Sequence, residues 1–274
     1  MDPTWKNSWP IPGTQWTLRG FSRAAYRTGF YIQELNIMLD AGPQLPNKPD
    51  HIFITHTHGD HIANLPFTLI DEENKHITNI YAPKCSERFL REYISALFNL
   101  NACAYVGKKN YIFHPMESGM ILQIPIKNTR YNFEVFACDH SIDTVSYGIK
   151  IVRTRLNEEY KNLSGKEIGE LRKQGIVITY DVEIPAIAYL CDTTIAVFQL
   201  NSAIFTYPVI IVECTFLYDD TNGSKHISWG ELKPFIIQNP NITFVLIHFS
   251  TRYKEDEIKE FFVREGFSNV KPWI

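Results

Sequence analysis

Short apolar runs that end in cation-binding side chains recur along the chain. The run from Ile52 to Thr55 is rich in β-branched and aromatic residues and predicts a buried strand. Comparable runs cover Asn132 to Cys138, Ala186 to Leu190 and Ile242 to Ile247. Each of these four runs is followed, within two residues of its end, by a side chain that can bind a cation: in order, His56, His140, Asp192 and His248. Because rigid strands place side chains where loops leave room for a substrate, the pattern predicts one shared site.

Helical periodicity is confined to a few segments. Apolar residues recur at intervals of three and four from Phe89 to Phe98, behind a predicted N-cap at Ser86. Ser164 to Glu167 has the capping-box pattern, and that helix should end at Gly175. A helix is also expected near Pro234, which starts it or kinks it, and an amphipathic helix is expected from Glu255 to Glu265.

The remaining apolar and alternating runs predict further strands. They lie at Trp16–Ala25, Gly29–Leu39, Asn79–Ala82, Val145–Val152 and Tyr207–Val212. Because the strands alternate with only some helices, we expect an α/β fold in which two mixed sheets pack face to face with helices outside. No linker, repeat or low-complexity segment interrupts the chain, so we expect a single domain over residues 1–274.

Charge argues against a general nucleic-acid-binding surface. Of 274 residues, 21% are charged, the net charge is −3, and the sequence pI is about 6.3. RNA binding would therefore depend on local basic patches. One candidate patch, which can equally be a solvated helix face, is formed by Lys161, Lys166, Arg172 and Lys173. A basic and aromatic ridge, or simply solvated arginines, is expected at Arg19, Phe21, Arg23, Tyr26 and Arg27.

Cysteine usage and hydropathy bear on the compartment. Five cysteines without a Cys-x-x-Cys pair indicate neither a disulfide framework nor a thiolate zinc site. The N-terminal residues lack the apolar core of a signal peptide, and no run of 18 apolar residues occurs. We therefore expect a protein without membrane spans in an intracellular, reducing compartment, the cytoplasm or the nucleus.

The segment from Asp50 to Leu65 contains the densest cluster of candidate metal ligands. His56, His58, Asp60 and His61 fall within six residues. Alternate side chains of an extended segment share a face, so His56 and His58 can bind one cation, and a turn at Gly59 can direct the next two to a second. So many ionisable groups beside a buried strand would be costly without a cation. By contrast, ordinary core or surface positions are expected for His51, His76 and His114.

Imidazole and carboxylate ligands without a thiolate suit zinc, with manganese, iron or magnesium as alternatives. Two divalent ions about 3.5–4 Å apart can activate water and bind both the attacking and the leaving oxygen of a phosphodiester. The chain supplies enough ligands for two ions. His56, His58 and His140 would hold one ion, Asp60, His61 and His248 would hold the other, and Asp192 would lie between them.

The order His-x-His-x-Asp-His, then His140, Asp192 and His248, resembles the metallo-β-lactamase fold, an αββα four-layer sandwich. Three segments, Glu213–Phe216, Lys225–Ser228 and His248–Tyr253, resemble the signatures of the tRNase Z family, which removes 3′ trailers from precursor tRNA. Glu159–Gly165 and Asp192–Thr194 are similar to its short forms from plants. The chain departs from the family pattern at two places. The segment Ala41–Gln44 is shortened, and the connection between the strands that bear His140 and Asp192 is brief where many members carry a long tRNA-clasping arm.

The resemblance implies a zinc-dependent endoribonuclease with two zinc ions per chain. Hydroxide would attack the phosphorus, and Asp60 would orient the attacking water or take the proton that leaves it as hydroxide. His226, supported by Glu213, would protonate the leaving 3′ oxygen. Thr215 and Ser250 would contact the phosphate or cap strand ends, and Arg252 would contact RNA or form an ion pair. A homodimer acting on precursor tRNA is implied.

Two other functions remain open. One is a phosphodiesterase of the same fold that acts on small molecules or cyclic nucleotides, since the fold fixes the metal site and leaves the substrate open. The other is an inactive tRNA-binding subunit, which would be indicated by less than one zinc ion per chain.

Overall fold

A computed structural model describes residues 5–45, 47–70, 75–107, 110–218 and 223–274. The sequence also predicts an irregular opening rich in Trp and Pro and a short proline-rich loop from Pro43 to Pro49, and both lie partly outside the described residues, at residues 1–4 and 46. Among the residues that are described, no helix is both long enough and apolar enough to cross a membrane.

Fourteen strands form two sheets of seven among the described residues. The first sheet contains β1 (Ser8–Pro10), β2 (Thr17–Arg23), β3 (Arg27–Ile32), β4 (Ile37–Leu39), β5 (His51–Phe53), β6 (Thr78–Pro83) and β7 (Tyr111–Met116), side by side in that order. The second contains β8 (Ile121–Ile126), β9 (Thr129–Ala137), β10 (Val145–Leu156), β11 (Thr179–Cys191), β12 (Val209–Glu213), β13 (Thr243–Ile247) and β14 (Val270–Pro272), again in sequence order. Both sheets are mixed, because antiparallel hairpins lie beside parallel strands.

Helices occupy the connections between strands. They are α1 (Gly59–Ile62), α2 (Leu65–Leu69), α3 (Glu87–Ala102), α4 (Gly165–Lys173), α5 (Val197–Leu200), α6 (Trp229–Gln238) and α7 (Glu255–Glu265). Apolar side chains of α2 and α3 pack with the outer face of the first sheet. Those of α5, α6 and α7 pack with the outer face of the second sheet.

A third apolar layer lies between the two sheets. At its centre Phe53 stacks on Tyr81 of its own sheet and on Phe133 of the other, with both pairs of ring centroids 4.5 Å apart. Offset aromatic pairs of this kind add to the free energy gained by burying the rings. The predicted αββα sandwich of two mixed sheets flanked by helices is therefore confirmed.

Several predicted elements need correction. The strand predicted from Gly29 to Leu39 is two strands, because the chain turns at Gln33–Asn36 and Asn36 has a left-handed φ of 53°. Four strands, β1, β7, β8 and β14, were not predicted. Ser86 does not cap α3 through its side chain, since its hydroxyl donates to the carbonyl of Pro83. Of the two alternatives for Pro234, the structure agrees with the earlier helix start: α6 begins at Trp229, where Ser228 and Glu231 form a capping box, and Pro234 lies inside it.

The connection between His140 and Asp192, which was expected to be brief, contains two strands that are longer than predicted. β10 and β11 have 12 and 13 residues, whereas the predicted strands had eight and five. β9 pairs with β10 only as far as Val152, so residues 153–182 project beyond the neighbouring strand as a two-stranded hairpin with α4 at its tip. We call this segment the projecting hairpin.

Candidate metal centre

The candidate ligands follow strands whose carboxyl ends meet at one edge of the sandwich. β11, β12 and β13 are parallel, and β9 points the same way because two antiparallel pairings separate it from β11. The loop after β5 reaches this edge from the first sheet, where the N–H of Val145 donates to the carbonyl of Thr55 at 3.0 Å. All seven predicted metal ligands are therefore brought together.

The first group of ligand atoms comes from His56, His58, His140 and Asp192, all within 4.8 Å of one another. Nδ1 of His58 lies 3.1 Å from Nε2 of His56 and 3.2 Å from Nε2 of His140. Two nitrogen ligands of a tetrahedral zinc ion, each about 2.0 Å from the metal, are about 3.3 Å apart. The imidazole spacing is thus that of ligands arranged around one small cation.

The second group consists of Asp60, His61 and His248. Oδ2 of Asp60 lies 3.3 Å from Nε2 of His248 and 3.6 Å from Nε2 of His61. Oδ2 of Asp192 faces both groups, at 3.8 Å from Nε2 of His56, 3.5 Å from Nε2 of His61 and 3.2 Å from Nε2 of His248. A single carboxylate oxygen is thus placed to be shared between two cations.

All five candidate histidine ligands have a hydrogen-bond partner on the nitrogen that faces away from the site; for His58, whose Nδ1 faces the site, the partner is the Ser141 hydroxyl, 3.4 Å from Nε2. For the other four, the partners of Nδ1 are the Thr55 hydroxyl for His56 at 3.0 Å, Asp40 for His61 at 3.1 Å, the Lys225 carbonyl for His140 at 3.0 Å and the Thr215 hydroxyl for His248 at 3.0 Å. Such partners fix the orientation of an imidazole and leave its other nitrogen for a metal. The sequence patterns indicated none of these partners.

Asp40 is the most important residue that the sequence patterns did not indicate. Its fully buried carboxylate accepts hydrogen bonds from the N–H of Thr55 at 2.8 Å and the hydroxyl of Tyr189 at 2.7 Å, besides contacting His61. Cys191 also lies 3.3 Å away, through Sγ. A charged residue directly after the buried strand Ile37–Leu39 was the available signal, since a buried carboxylate needs several partners.

We expect Asp40→Asn to weaken zinc binding by about 10- to 100-fold, because loss of the carboxylate leaves His61 free to rotate or change tautomer. The free energy of unfolding should fall by about 2 kcal/mol through weaker buried hydrogen bonds. Chelator competition and chemical denaturation measure the two effects. Asp50→Asn, a half-exposed residue at the opposite end of β5, is the matched control. Equal zinc affinity in both variants would contradict this role.

The site is enriched in an uncommon backbone conformation. Among the described residues, seven other than glycine have a positive φ, and four of these line this edge: Ala25, Asp40, Cys191 and His248. Such conformations cost free energy and persist where surrounding contacts impose them. Gly42 is needed for another reason, because a Cβ there would lie 2.7 Å from the backbone of Thr28 and also collide with that of Asp60.

Burial and mutual charge set the protonation of the ligands. Burial, reinforced by the neighbouring imidazoles, lowers the pKa of His56 well below its ordinary value, which favours the neutral form that binds metals. Burial would also lower the pKa of His61, but Asp192, Cys191 and Asp40 raise it well above the ordinary value. For Asp192, burial opposes ionisation, yet His248 and His61 hold its pKa well below the usual range. The electrostatic field therefore favours positive charge between the carboxylates.

The residues present fit a pair of divalent cations. Nε2 of His61 is buried and has no hydrogen-bond partner among the described residues, although it points at Asp60 and Asp192. An unsatisfied buried nitrogen is costly unless another group completes it. Nitrogen and oxygen donors, with imidazoles hydrogen-bonded on their other nitrogen, are the donor set that suits zinc at a hydrolytic centre.

Glu213 and His226 form a hydrogen-bonded pair beside the ligand groups. Nδ1 of His226 lies 3.0 and 3.1 Å from the two carboxylate oxygens of Glu213. Glu213 is fully buried and also accepts from the N–H groups of Thr193 and Ile227. Burial would lower the pKa of His226, but the hydrogen bonds and charge of Glu213 outweigh it and raise this pKa to about 9. His226 can therefore donate a proton from Nε2 at neutral pH.

The residues predicted to contact substrate differ in their surroundings. The hydroxyl of Thr215 is buried, donates to Glu213 at 2.6 Å and lies 3.0 Å from Nδ1 of His248, which suits a positioning role. Ser250 and Arg252 lie on the loop after β13, and the Arg252 guanidinium stands over the ring of Phe216, 5.0 Å from its centroid. Their contact with substrate stays a prediction.

The predicted basic patch is not part of the metal centre. Lys161, Lys166, Arg172 and Lys173 lie in or near α4, at the tip of the projecting hairpin. The 13 residues of β11 between that tip and Asp192 span about 40 Å at about 3.3 Å per residue. Lys161 and Lys173 pair with Glu158 and Glu170. The patch can therefore serve only a substrate much larger than one nucleotide.

Comparison with known proteins agrees with this architecture. No protein-family model matches the chain. It is 29% identical over 264 residues to the chloroplastic tRNase Z TRZ2 of Arabidopsis thaliana, covering 89% of this chain and 70% of that protein. It is 27% identical over 258 residues to tRNase Z TRZ1 of the same plant, covering 89% and 88%. The metallo-beta-lactamase fold protein YhfI from Bacillus subtilis superposes with a TM-score of 0.59 at 14% identity, covering 92% and 93%.

The fold and the ligand set together define a metal-dependent hydrolase of the metallo-β-lactamase fold. Within that class, the chain is similar over most of its length to curated proteins named tRNase Z, and the predicted resemblance is confirmed.

Proposed function

We propose that this protein is a zinc-dependent endoribonuclease that removes the 3′ trailer from precursor tRNA and leaves a 3′-hydroxyl on the tRNA. The observation that carries the proposal is a proton donor beside the shared ligand set: His226 packs against His140 and His248, with ring centroids 5.0 and 5.3 Å away. Similarity to curated tRNase Z proteins supports the choice of substrate.

His56, His58, His140 and Asp192 would hold one zinc ion, and Asp60, His61, His248 and the same Asp192 would hold the other. When bound, the two ions supply activated water and positive charge at the phosphate. Asp60, which is less buried than Asp192, accepts the proton of the attacking water or orients it. Nε2 of His226 gives a proton to the departing 3′ oxygen, while Glu213 holds Nδ1 and stabilises the imidazolium.

The projecting hairpin fits a tRNA-sized substrate. A phosphodiester at the metal centre and a basic surface about 40 Å away along β11 can be occupied together only by an extended polyanion. Lys166 and Arg172 have no carboxylate within ion-pair distance in the described part of the chain, so we propose that they contact phosphates of the tRNA body. The projecting hairpin occupies the connection in which many tRNase Z proteins carry a long tRNA-clasping arm. We therefore propose that the hairpin binds tRNA in place of such an arm.

We expect the double variant Lys166→Ala/Arg172→Ala to bind precursor tRNA more weakly. The slope of log K against log salt should become shallower by about 0.7–0.9 for each phosphate that the variant no longer neutralises. Hydrolysis of bis(p-nitrophenyl) phosphate, which cannot reach the hairpin, should be unchanged. The variant Lys166→Arg/Arg172→Lys keeps both charges and should behave like the wild type. Equally reduced hydrolysis of the small diester, or an unchanged salt slope, would contradict the assignment.

The direct experiment compares precursor tRNA with small and cyclic diesters under identical conditions. Endonucleolytic cleavage of precursor tRNA, abolished by a chelator and restored by zinc, supports the proposal. Turnover of cyclic nucleotides with inert precursor tRNA would instead identify a small-molecule phosphodiesterase. A parallel series with manganese and magnesium shows whether zinc is the active metal.

Three further expectations accompany the proposal. The five cysteines are free, with Cys85 and Cys103 exposed, which suits a reducing compartment such as the cytoplasm or nucleus. The second expectation is that residues 1–274 form one domain. The third is a homodimer, which rests on the resemblance alone.

A further inference from the structure

The turn between β2 and β3 lies against the metal centre. The N–H of Ala25 donates to Oδ2 of Asp60 at 3.0 Å, and the N–H of Ala24 donates to the carbonyl of Phe249 at 3.1 Å. Phe249 directly follows His248, so this turn contacts both loops that supply the second ligand group. The next residue, Tyr26, therefore has its Cα within about 3.8 Å of that of Ala25.

Side-chain contacts of Ser22 and Arg23 fix the turn against the loop after β13. The guanidinium of Arg23 donates to the carbonyls of Ser250 and Tyr253, on the loop after β13 that begins with His248. The hydroxyl of Ser22 accepts from the N–H of His248 at 3.0 Å. The left-handed φ of 55° at Ala25 is imposed by these contacts. Arg23, predicted as part of a ridge, is thus an internal clamp, and the turn is a rigid support.

Tyr26 ends the turn and is exposed, whereas Arg27 begins β3 and is partly buried. Tyr26 is 56% exposed, although its ring meets the edge of Phe21 at a centroid distance of 5.8 Å. The guanidinium carbon of Arg27 lies 5.4 Å from the centroid of Tyr26. Within the described ranges, no carboxylate lies at ion-pair distance from Arg27. An aromatic ring and an uncompensated cation are therefore pre-positioned beside each other at the rim of the centre.

We propose that Tyr26 stacks on the base of a nucleotide that flanks the scissile phosphate, and that Arg27 binds the neighbouring phosphate of the same strand. The inference rests on the proposed function and names its substrate contacts. Aromatic stacking tolerates every base, because each base has a π-face, whereas a positive charge reads only the backbone. The pair would hold the cleavage site in register without selecting a sequence.

Precursor tRNAs carrying 2-aminopurine either as the last tRNA nucleotide or as the first trailer nucleotide test this contact. Binding is followed by fluorescence in the His226→Ala background, where slow cleavage allows it to be measured first. One of the two labels should be quenched by the protein with Tyr26 and not by the Tyr26→Ala form. That form should bind about 5- to 100-fold more weakly, whereas Tyr26→Phe and Tyr26→Trp keep the quenching.

Tyr105→Ala is the matched control. Tyr105 is 98% exposed and lies in the connection between α3 and β7, the strand at the other end of the first sheet from β1. Normal binding and cleavage without quenching at either position, or equal weakening of binding by Tyr26→Ala and Tyr105→Ala, would overturn the inference while leaving the proposed function intact. Failure of precursor tRNA to bind at all would overturn the proposed function and this inference with it.

Discussion

Replacing Asp192 by alanine should lower kcat/KM for precursor tRNA by about 10³- to 10⁵-fold, which corresponds to about 4–7 kcal/mol of transition-state stabilisation. The reason is that one oxygen of this buried carboxylate faces His56, His61 and His248 together. Its removal takes a ligand from both groups at once. Zinc content, measured by elemental analysis, should fall from two ions per chain.

The control for this variant is Asp256→Ala, an 89% exposed residue at the start of α7. It should leave zinc content and activity unchanged. Circular dichroism establishes that Asp192→Ala is folded, and zinc should raise the melting temperature of the wild type much more than that of the variant. A folded Asp192→Ala protein that keeps two zinc ions and full activity would exclude Asp192 as a shared ligand.

Replacing His226 by alanine should lower kcat for precursor tRNA by about 10²- to 10⁴-fold without loss of zinc, because the proton donor for the leaving oxygen is removed. The leaving group provides the sharpest control. Nitrophenolate departs without a proton, so hydrolysis of bis(p-nitrophenyl) phosphate should fall much less. An equal fall in kcat on both substrates would show that His226 binds or positions the phosphate rather than donating a proton.

Glu213→Gln extends the same test. The amide keeps the size of the side chain but cannot raise the pKa of His226 as the carboxylate does, so we expect a smaller version of the same substrate-dependent fall in kcat. Because Glu213 also accepts from the Thr193 N–H, the Ile227 N–H and the Thr215 hydroxyl, the thermal stability of the variant is measured in parallel.

The features that could be predicted from sequence are those encoded over short distances. His56, His58, Asp60 and His61 lie on a strand end and the turn after it, so their spacing alone indicates a shared cation. The layered fold follows from the alternation of apolar runs with a few helices. His140, Asp192 and His248 could be added because each follows a buried strand, and parallel or doubly reversed strands end at the same edge.

The features that could not be predicted from sequence depend on contacts between distant parts of the chain. Asp40 joins Thr55, His61 and Tyr189, which are 15, 21 and 149 residues away, and no local pattern records that convergence. The hydroxyl of Thr215 faces His248 only because β12 and β13 are neighbours. β10 and β11 extend past the apolar stretches because their outer halves pair mainly with each other, and polar residues suffice for a solvated hairpin.

The most direct test of a zinc-dependent tRNA 3′ endonuclease is to map the ends of the products from one precursor tRNA, with and without chelator. We predict a tRNA that ends in a 3′-hydroxyl at the nucleotide before the trailer and a trailer with a 5′-phosphate, both formed only when zinc is present. Cleavage elsewhere, a phosphate left on the tRNA, or the same products in excess chelator would contradict the proposed function.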